Sequence, residues 1–365
     1  AVFQDLMQCQ PERAKWPYMV GYQDHEQERW REAVNWYDKS LTLNPDYIVV
    51  LYRKGYAHFK LGEVGQALQA FERCRKLWHA LPEGQLKEKD KKNCAKAAYH
   101  QAEVSIENAR VVEGAFDAAI RLLGEAINLD PDNHNAHYLL GKALLENGQP
   151  EKAIEAFQEA DRIQPRQDYI LDRWGMALAE LKQYDNARKI YERIPSYQRK
   201  DYILRHLGEI QLQEGDYQNA IKTLKLAVQK NGRNHNAHYL LGMGYIAIGN
   251  WVLAVHEFRE AIRLRQKHYN VPFPEAQKAL DDVLSQHPET ANLPQINTRQ
   301  RGKVIKYFDD KGYGFIRGDS GEIFFHVRDC PRDEKIEAGM IVEYEEGIGD
   351  KGPKAIKMKF VHLDK

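Results

Sequence analysis

Cysteine is scarce in this chain. The four, Cys9, Cys74, Cys94 and Cys330, form no CxxC pair, which argues against a disulfide framework and leaves no thiol spacing for zinc or a redox cycle. Net charge is lacking as well. Lys+Arg and Asp+Glu both number 53, and the balance persists from residue 299 onward, with 14 basic against 13 acidic residues. No bulk attraction to nucleic acid or to a membrane surface is implied. Long apolar runs are also missing: the longest uncharged stretch, Tyr239 to Val255, is interrupted by Gly249 and Asn250 and falls short of the ~20 residues that span a bilayer. The first residues, "AVFQDLMQCQPERAK", have no basic start followed by an apolar block, so no secretory leader is expected. Unpaired thiols and no leader predict a cytoplasmic protein.

Catalytic signatures are absent too. The sequence contains no GxxxxGK[ST] phosphate loop, no GxSxG elbow, no HExxH helix and no GxGxxG turn, so no catalytic residue, cofactor or small-molecule ligand is expected. The best metal candidates are His134 with His137 and His235 with His238, each pair on one helical face. Without a nearby carboxylate or thiol in sequence they read as solvated or capping histidines, and no metal is expected. Glu343, Glu345 and Glu346 read as a charged strand end.

What the chain does have is repetition. A small residue recurs at Ala33, Ala67, Ala119, Ala153, Ala187, Ala220 and Ala254, and a large apolar one follows each at Tyr37, Phe71, Leu123, Phe157, Tyr191, Leu224 and Phe258. Glycine precedes six of the seven alanines, at Gly21, Gly55, Gly141, Gly175, Gly208 and Gly242. The dominant interval is 34 residues, a repeat period. Small side chains let the two helices of a hairpin approach, and the large ones are expected to fill the groove between neighbouring hairpins. Prolines at "NPD", "DPD" and "QP" end second helices. The nonapeptide "NHNAHYLLG" occurs twice, from Asn133 and from Asn234.

These residues resemble the tetratricopeptide repeat, a helix-turn-helix unit with Gly, Ala and Pro at set places. Seven repeats are predicted over residues 14–286, closed by an amphipathic capping helix that begins at Pro274. The third departs from the pattern: Glu107 stands at the glycine position, and an insertion near 82–100 contains the charged stretch "PEGQLKEKDKKN", either a longer connection or a helical extension. The resemblance implies an α-helical superhelix whose concave face holds a protein or peptide. The places of a carboxylate clamp hold tyrosines instead, including Tyr18, and the groove residues are expected to be Tyr22, Tyr52, Tyr56, Tyr138, Lys142 and Tyr239. Packing between repeats is the competing reading of these tyrosines.

Beyond a polar linker at 287–300, the texture changes. Five short β-branched and aromatic runs, "KVIKYF", "GYGFIR", "EIFFHV", "IVEYEE" and "KAIKMKFV", suit a small all-β closed barrel. Alternation puts Tyr313, Phe315 and Arg317 on one face, and Phe324 with His326 on the same side of the next strand. The runs "KGYGFI", "IFFHV" and "GDKGPKAIKM" resemble the nucleic-acid motifs and the closing strand of the cold-shock domain, an OB-type barrel, over residues 301–363. Carried over position by position, the resemblance implies that single-stranded RNA or DNA meets Lys306, Tyr307, Phe308, Lys311, Tyr313, Phe315, Phe324, His326, Lys351 and Lys354. Two departures stand out: "KYFDDKG" matches the family's first strand only with a gap, and Val327 replaces an aromatic. A row of flat side chains on a sheet binds unpaired bases with little sequence demand.

The expected function is an RNA-binding adaptor, with the barrel holding single-stranded nucleic acid, RNA favoured, and the array a protein partner. A pure protein-interaction scaffold with a degenerate barrel is the alternative. A nuclease with unrecognised catalytic residues is the third reading.

Overall fold

The structure is a computed structural model and describes residues 9–82, 87–109, 112–291, 300–318, 321–331, 335–349 and 352–361. The chain divides between Gln183 and Tyr184 into two compact units. The first holds nine of the described helices: α1 Lys15–Glu26, α2 Trp30–Leu43, α3 Ile48–Lys60, α4 Val64–Ala80, α5 Glu88–Glu107, α6 Ala115–Leu129, α7 His134–Glu146, α8 Pro150–Ile163 and α9 Asp168–Glu180. The second holds α10 Tyr184–Glu192, α11 Asp201–Gln213, α12 Tyr217–Lys230, α13 His235–Ala247, α14 Trp251–Tyr269 and α15 Pro274–Gln286, then five strands.

The repeated residues build each hairpin from within. A β-carbon on Gly55 would lie 2.7 Å from the Phe71 ring, on Gly141 2.6 Å from Phe157, on Gly208 2.5 Å from Leu224 and on Gly242 2.6 Å from Phe258. The large residue therefore fills a notch in its own hairpin and also reaches the next, as expected of a groove between neighbours: Phe71 stacks on His100 of α5 at 5.7 Å, and Phe157 clusters with Ile170 and Ala177 of α9. Burial agrees: Ala67, Phe71, Ala153, Phe157, Ala220, Leu224, Ala254 and Phe258 are all fully enclosed. Helix starts are set locally, with the Asn133, Asn234 and Asn250 side chains accepting from the backbone N–H of Ala136, Ala237 and Leu253, which satisfies donors the first turn leaves orphaned.

The third hairpin shows what the insertion does. Its charged stretch continues as helix from Glu88, and Ala98 and Ala102 of α5 join Leu123 of α6 in one buried cluster. Alanines thus take the place that glycine holds elsewhere, and Glu107 ends the helix. Near its start, α5 also brings the free thiols of Cys94 and Cys74 to 3.5 Å.

The strands are β1 Gln300–Phe308, β2 Tyr313–Gly318, β3 Gly321–His326, β4 Ile341–Gly349 and β5 Gly352–Val361. They close in the order β1-β2-β3-β5-β4, around Val304, Ile316, Ile323, Phe325, Val342 and Tyr344. Within the second unit, β4 lies beside α12. Ahead of the barrel, Pro288–Thr290 forms a single 3-10 turn with Thr290 buried, and Arg259 of α14 donates to the Ala291 carbonyl at 2.9 Å.

Candidate nucleic-acid interface

The register of β2 on β3 brings the predicted aromatics together. Tyr313 is opposite His326, Phe315 opposite Phe324, and Arg317 opposite Glu322. Between them Gly314, Ile316, Ile323 and Phe325 point inward and are buried, while Tyr313, Phe315, Phe324 and His326 remain half-exposed. Strict alternation cannot bury both sides of such a strand. Ring centroids lie 5.6 Å apart for Tyr313 and Phe324, 6.0 Å for Phe315 and Phe324, and 6.2 Å for Tyr313 and Phe315.

The first strand adds to this face through an irregularity. A bulge between Val304 and Lys306 shifts the register, after which Lys306 pairs with Phe315, Tyr307 with Gly314 and Phe308 with Tyr313. Lys306 and Phe308 therefore share the outer face. The Phe308 ring sits 5.1 Å from Tyr313, with the Lys306 ammonium 4.6 Å and the Lys311 ammonium 5.9 Å from its centre.

Tyr307 corrects the expectation. Its ring stacks on the buried Phe325 at 5.9 Å and packs against the barrel core, and burial pushes its hydroxyl pKa up. The bulge inverts the parity of the strand, so Tyr307 does not stand with the outer aromatics. Gly314, paired with Tyr307, lets β1 and the core close up there: a β-carbon on it would lie 2.6 Å from the Phe325 ring and closer still to the Lys306 carbonyl oxygen.

Polar groups edge the platform. His326 accepts at Nδ1 from the Arg328 backbone N–H, 3.2 Å away, which leaves Nε2 to carry the hydrogen of the neutral ring. Arg317 pairs with Glu322 at 2.7 Å, and Lys354, opposite Phe324 on β5, is tied to Asp329 at 2.9 Å. Val327 is 41% exposed. Lys351 lies outside the described residues. Arg317 is the face residue missing from the predicted set, although its alternation with Tyr313 and Phe315 placed it there.

The groove tyrosines fare unevenly. Tyr52 is buried among Phe71 and its neighbours, and Tyr239 is wedged between Phe258 and Phe273, at 5.9 and 5.4 Å. Both rings pack on their neighbours, Tyr239 remaining half-exposed. Tyr138 meets Tyr169 edge-on at 4.8 Å, and Lys142 is half-buried one turn further along α7. Tyr56 and an edge of Tyr52 line a cavity of about 490 Å³ in the first unit, and Tyr22 stacks behind it on His25. The other walls, His25, Trp30, Arg53, Lys96, Tyr99 and His100, come from helices far apart in sequence, and only the tyrosine spacing pointed there.

Among the described residues no group of three or more His, Cys, Asp or Glu could hold a metal. His137 bonds the Pro131 carbonyl at 2.9 Å and His238 the Glu257 carboxylate at 2.6 Å. No described helix is long and apolar enough to cross a membrane.

Fold and motif together define a helical-repeat binding protein with an OB-type barrel at its end. The chain is a tetratricopeptide-repeat protein that carries a cold-shock domain. Family models of the tetratricopeptide repeat match residues 21–62, 49–78 and 112–172, the model of the anaphase-promoting complex, cyclosome, subunit 3 matches 180–261, and the 'cold-shock' DNA-binding domain matches 300–361. Tetratricopeptide repeat protein 21A of Mus musculus is 33% identical over 101 residues, 28% of this chain and 8% of that protein. BBSome complex member BBS4 of Bos taurus is 28% identical over 138 residues, 38% of this chain and 27% of that protein. The chain thus spans well under half of these relatives. The C-terminal part of a TPR repeat-containing protein from Cytophaga hutchinsonii shares the fold, with a TM-score of 0.52 and 12% identity over 72% of this chain and 99% of that one. Both modules are binding folds: repeats of a protein-interaction type joined to a domain of a nucleic-acid-binding family.

Proposed function

We propose that this chain is a cytoplasmic RNA-binding adaptor, not an enzyme, with residues 14–286 holding a protein partner and residues 301–363 holding single-stranded nucleic acid. The observation that carries the reading is the outer face of β1, β2 and β3, where Phe308, Tyr313, Phe315, Phe324 and His326 cluster with their rings half-exposed. Each base stacked there contributes about 1–3 kcal/mol, whatever its identity. Lys306 and Lys311 stand beside the rings to meet phosphates, and Lys354 of β5 lies opposite Phe324. RNA is favoured because His326 keeps an Nε2–H donor next to a stacking surface, the kind of group that reads a 2′-hydroxyl. A reducing compartment suits four cysteines that are all unbridged.

Titration of the full chain with labelled oligo-U and oligo-dT by fluorescence anisotropy tests the barrel, with saturable binding and tighter oligo-U expected. Affinity purification with and without RNase tests the adaptor: a protein partner that stays bound after RNase supports it, and the absence of any RNase-resistant partner refutes the array's role. Labelled RNA incubated with divalent metal should stay intact.

A further inference from the structure

The wall of the cavity in the first unit holds a cation, Arg53, with aromatic and hydrogen-bonding neighbours, Tyr18 and His25 among them, and no carboxylate bonded to it among the described residues. Arg53 of α3 is half-buried in its wall, with its guanidinium 4.8 Å from the Tyr22 ring. It forms no ion pair among the described residues, whereas its neighbour Lys54 pairs with Asp38. Arg53 instead donates through Nη1 to Nε2 of His25, 3.2 Å away. An arginine has no acceptor to offer, so Nε2 must accept and the ring hydrogen must sit on Nδ1. That Nδ1 is buried, in a side chain only 5% exposed, and has no partner among the described residues. Burial, with Arg53 beside it, lowers the His25 pKa to about 4, which keeps the ring neutral near pH 7. The wall therefore presents one cation without an ion-pair partner, steadied by a neutral histidine.

The rest of the lining sets the size and kind of ligand. Trp30, Tyr56 and Tyr99 supply flat apolar surface, and exposed Lys96 adds a second positive charge at the mouth. Glu26 and Glu28 also line the cavity, but both are exposed, so positive charge lies deeper than negative. Rim carboxylates of this kind repel a polyphosphate strand, whereas a peptide brings a single anion on a neutral backbone. With one bond committed to His25 and another to Tyr18, the remaining N–H groups of Arg53 suit one carboxylate.

We propose that this cavity binds a linear peptide through an Asp or Glu side chain seated on Arg53, with an adjoining large apolar side chain against Trp30, Tyr56 and Tyr99. The inference rests on reading the array as a protein binder and names the chemistry of what it holds. The full chain, carrying Phe315→Ala and Phe324→Ala to silence the barrel, would be panned against a display library of random dodecapeptides and, separately, a random single-stranded RNA pool. An acidic residue enriched next to a large apolar one is expected. Enriched peptides should bind the Arg53→Gln chain about tenfold more weakly and the Lys96→Gln chain more weakly than the parent. Lys96 is exposed, so that variant serves even if Arg53→Gln fails to fold. Enrichment without an acidic position, or indifferent to both variants, overturns the proposal while leaving the array a peptide binder. No enriched peptide at all overturns both. RNA retained in an Arg53-dependent way would make the cavity a nucleic-acid site and refute the peptide.

Discussion

Gly141 and Phe157 face each other across the crossing of α7 and α8 so closely that a β-carbon on the glycine would come within 2.6 Å of the ring. The same relation holds between Gly242 and Phe258. A single methyl group cannot be admitted there without moving a fully buried ring.

Gly141→Ala is therefore expected to destabilise the array by about 1–3 kcal/mol through overpacking. Gly124, inside α6, is the counter-case, because a β-carbon added there would meet nothing within 4 Å. Gly124→Ala should stabilise by about 0.5–1 kcal/mol, since it only improves helix propensity. Urea midpoints of the two variants decide, and a shift in the same direction for both would refute the notch.

On the barrel, Phe315→Ala or Phe324→Ala should each weaken oligo-U binding by roughly tenfold or more, the loss of one stacked base. Tyr307→Phe should leave affinity unchanged, because that ring faces Phe325 inside. Anisotropy titrations separate the two classes. Loss of binding on Tyr307→Phe alone would put its hydroxyl in contact with the strand.

Salt dependence should be shallow. Two lysines beside the rings, Lys306 and Lys311, neutralise about two phosphates and predict a slope of log K against log salt near about −1.4. A slope steeper than about −3 would mean that phosphate contacts, and not stacking, carry the affinity.

His25 provides a pH test of the first unit. An unfolded chain protonates this ring below about pH 6.5, whereas the folded one holds it neutral down to about 4. Between those values the unfolded state binds more protons, so stability falls as pH drops through the window and the loss levels off below it. The cost is roughly 3 kcal/mol once the pH is below both values. His25→Gln should flatten that limb of the urea midpoint plotted against pH. An unchanged limb would show that His25 is not buried as described.

Much of the fold was legible because repeats write their packing in spacing. Ala67 and Phe71 announce a buried stripe by position alone, and "GYGFIR" announces two faces by alternation. Tyr307 was not legible: a bulge at Val304 to Lys306 changes which residues face out, and no local signal in "KVIKYF" marks it. Nor were His25, Arg53 and Tyr99 legible as neighbours, since a period tells which residues recur and not which meet across hairpins. The twin nonapeptides make the same point. His137 takes the Pro131 carbonyl and His238 the Glu257 carboxylate, because the second helix carries Ala156 in one hairpin and Glu257 in the other.

A glycine-and-ring fastening within the hairpin, with the ring's outer edge on the next one, has a consequence for how such a chain can grow. Because glycine and ring belong to the same hairpin, a unit can be copied or lengthened as long as its neighbour still offers the ring a surface, as His100 does for Phe71. The long α5, seated on Leu123 by alanines, is one such enlargement accommodated in place.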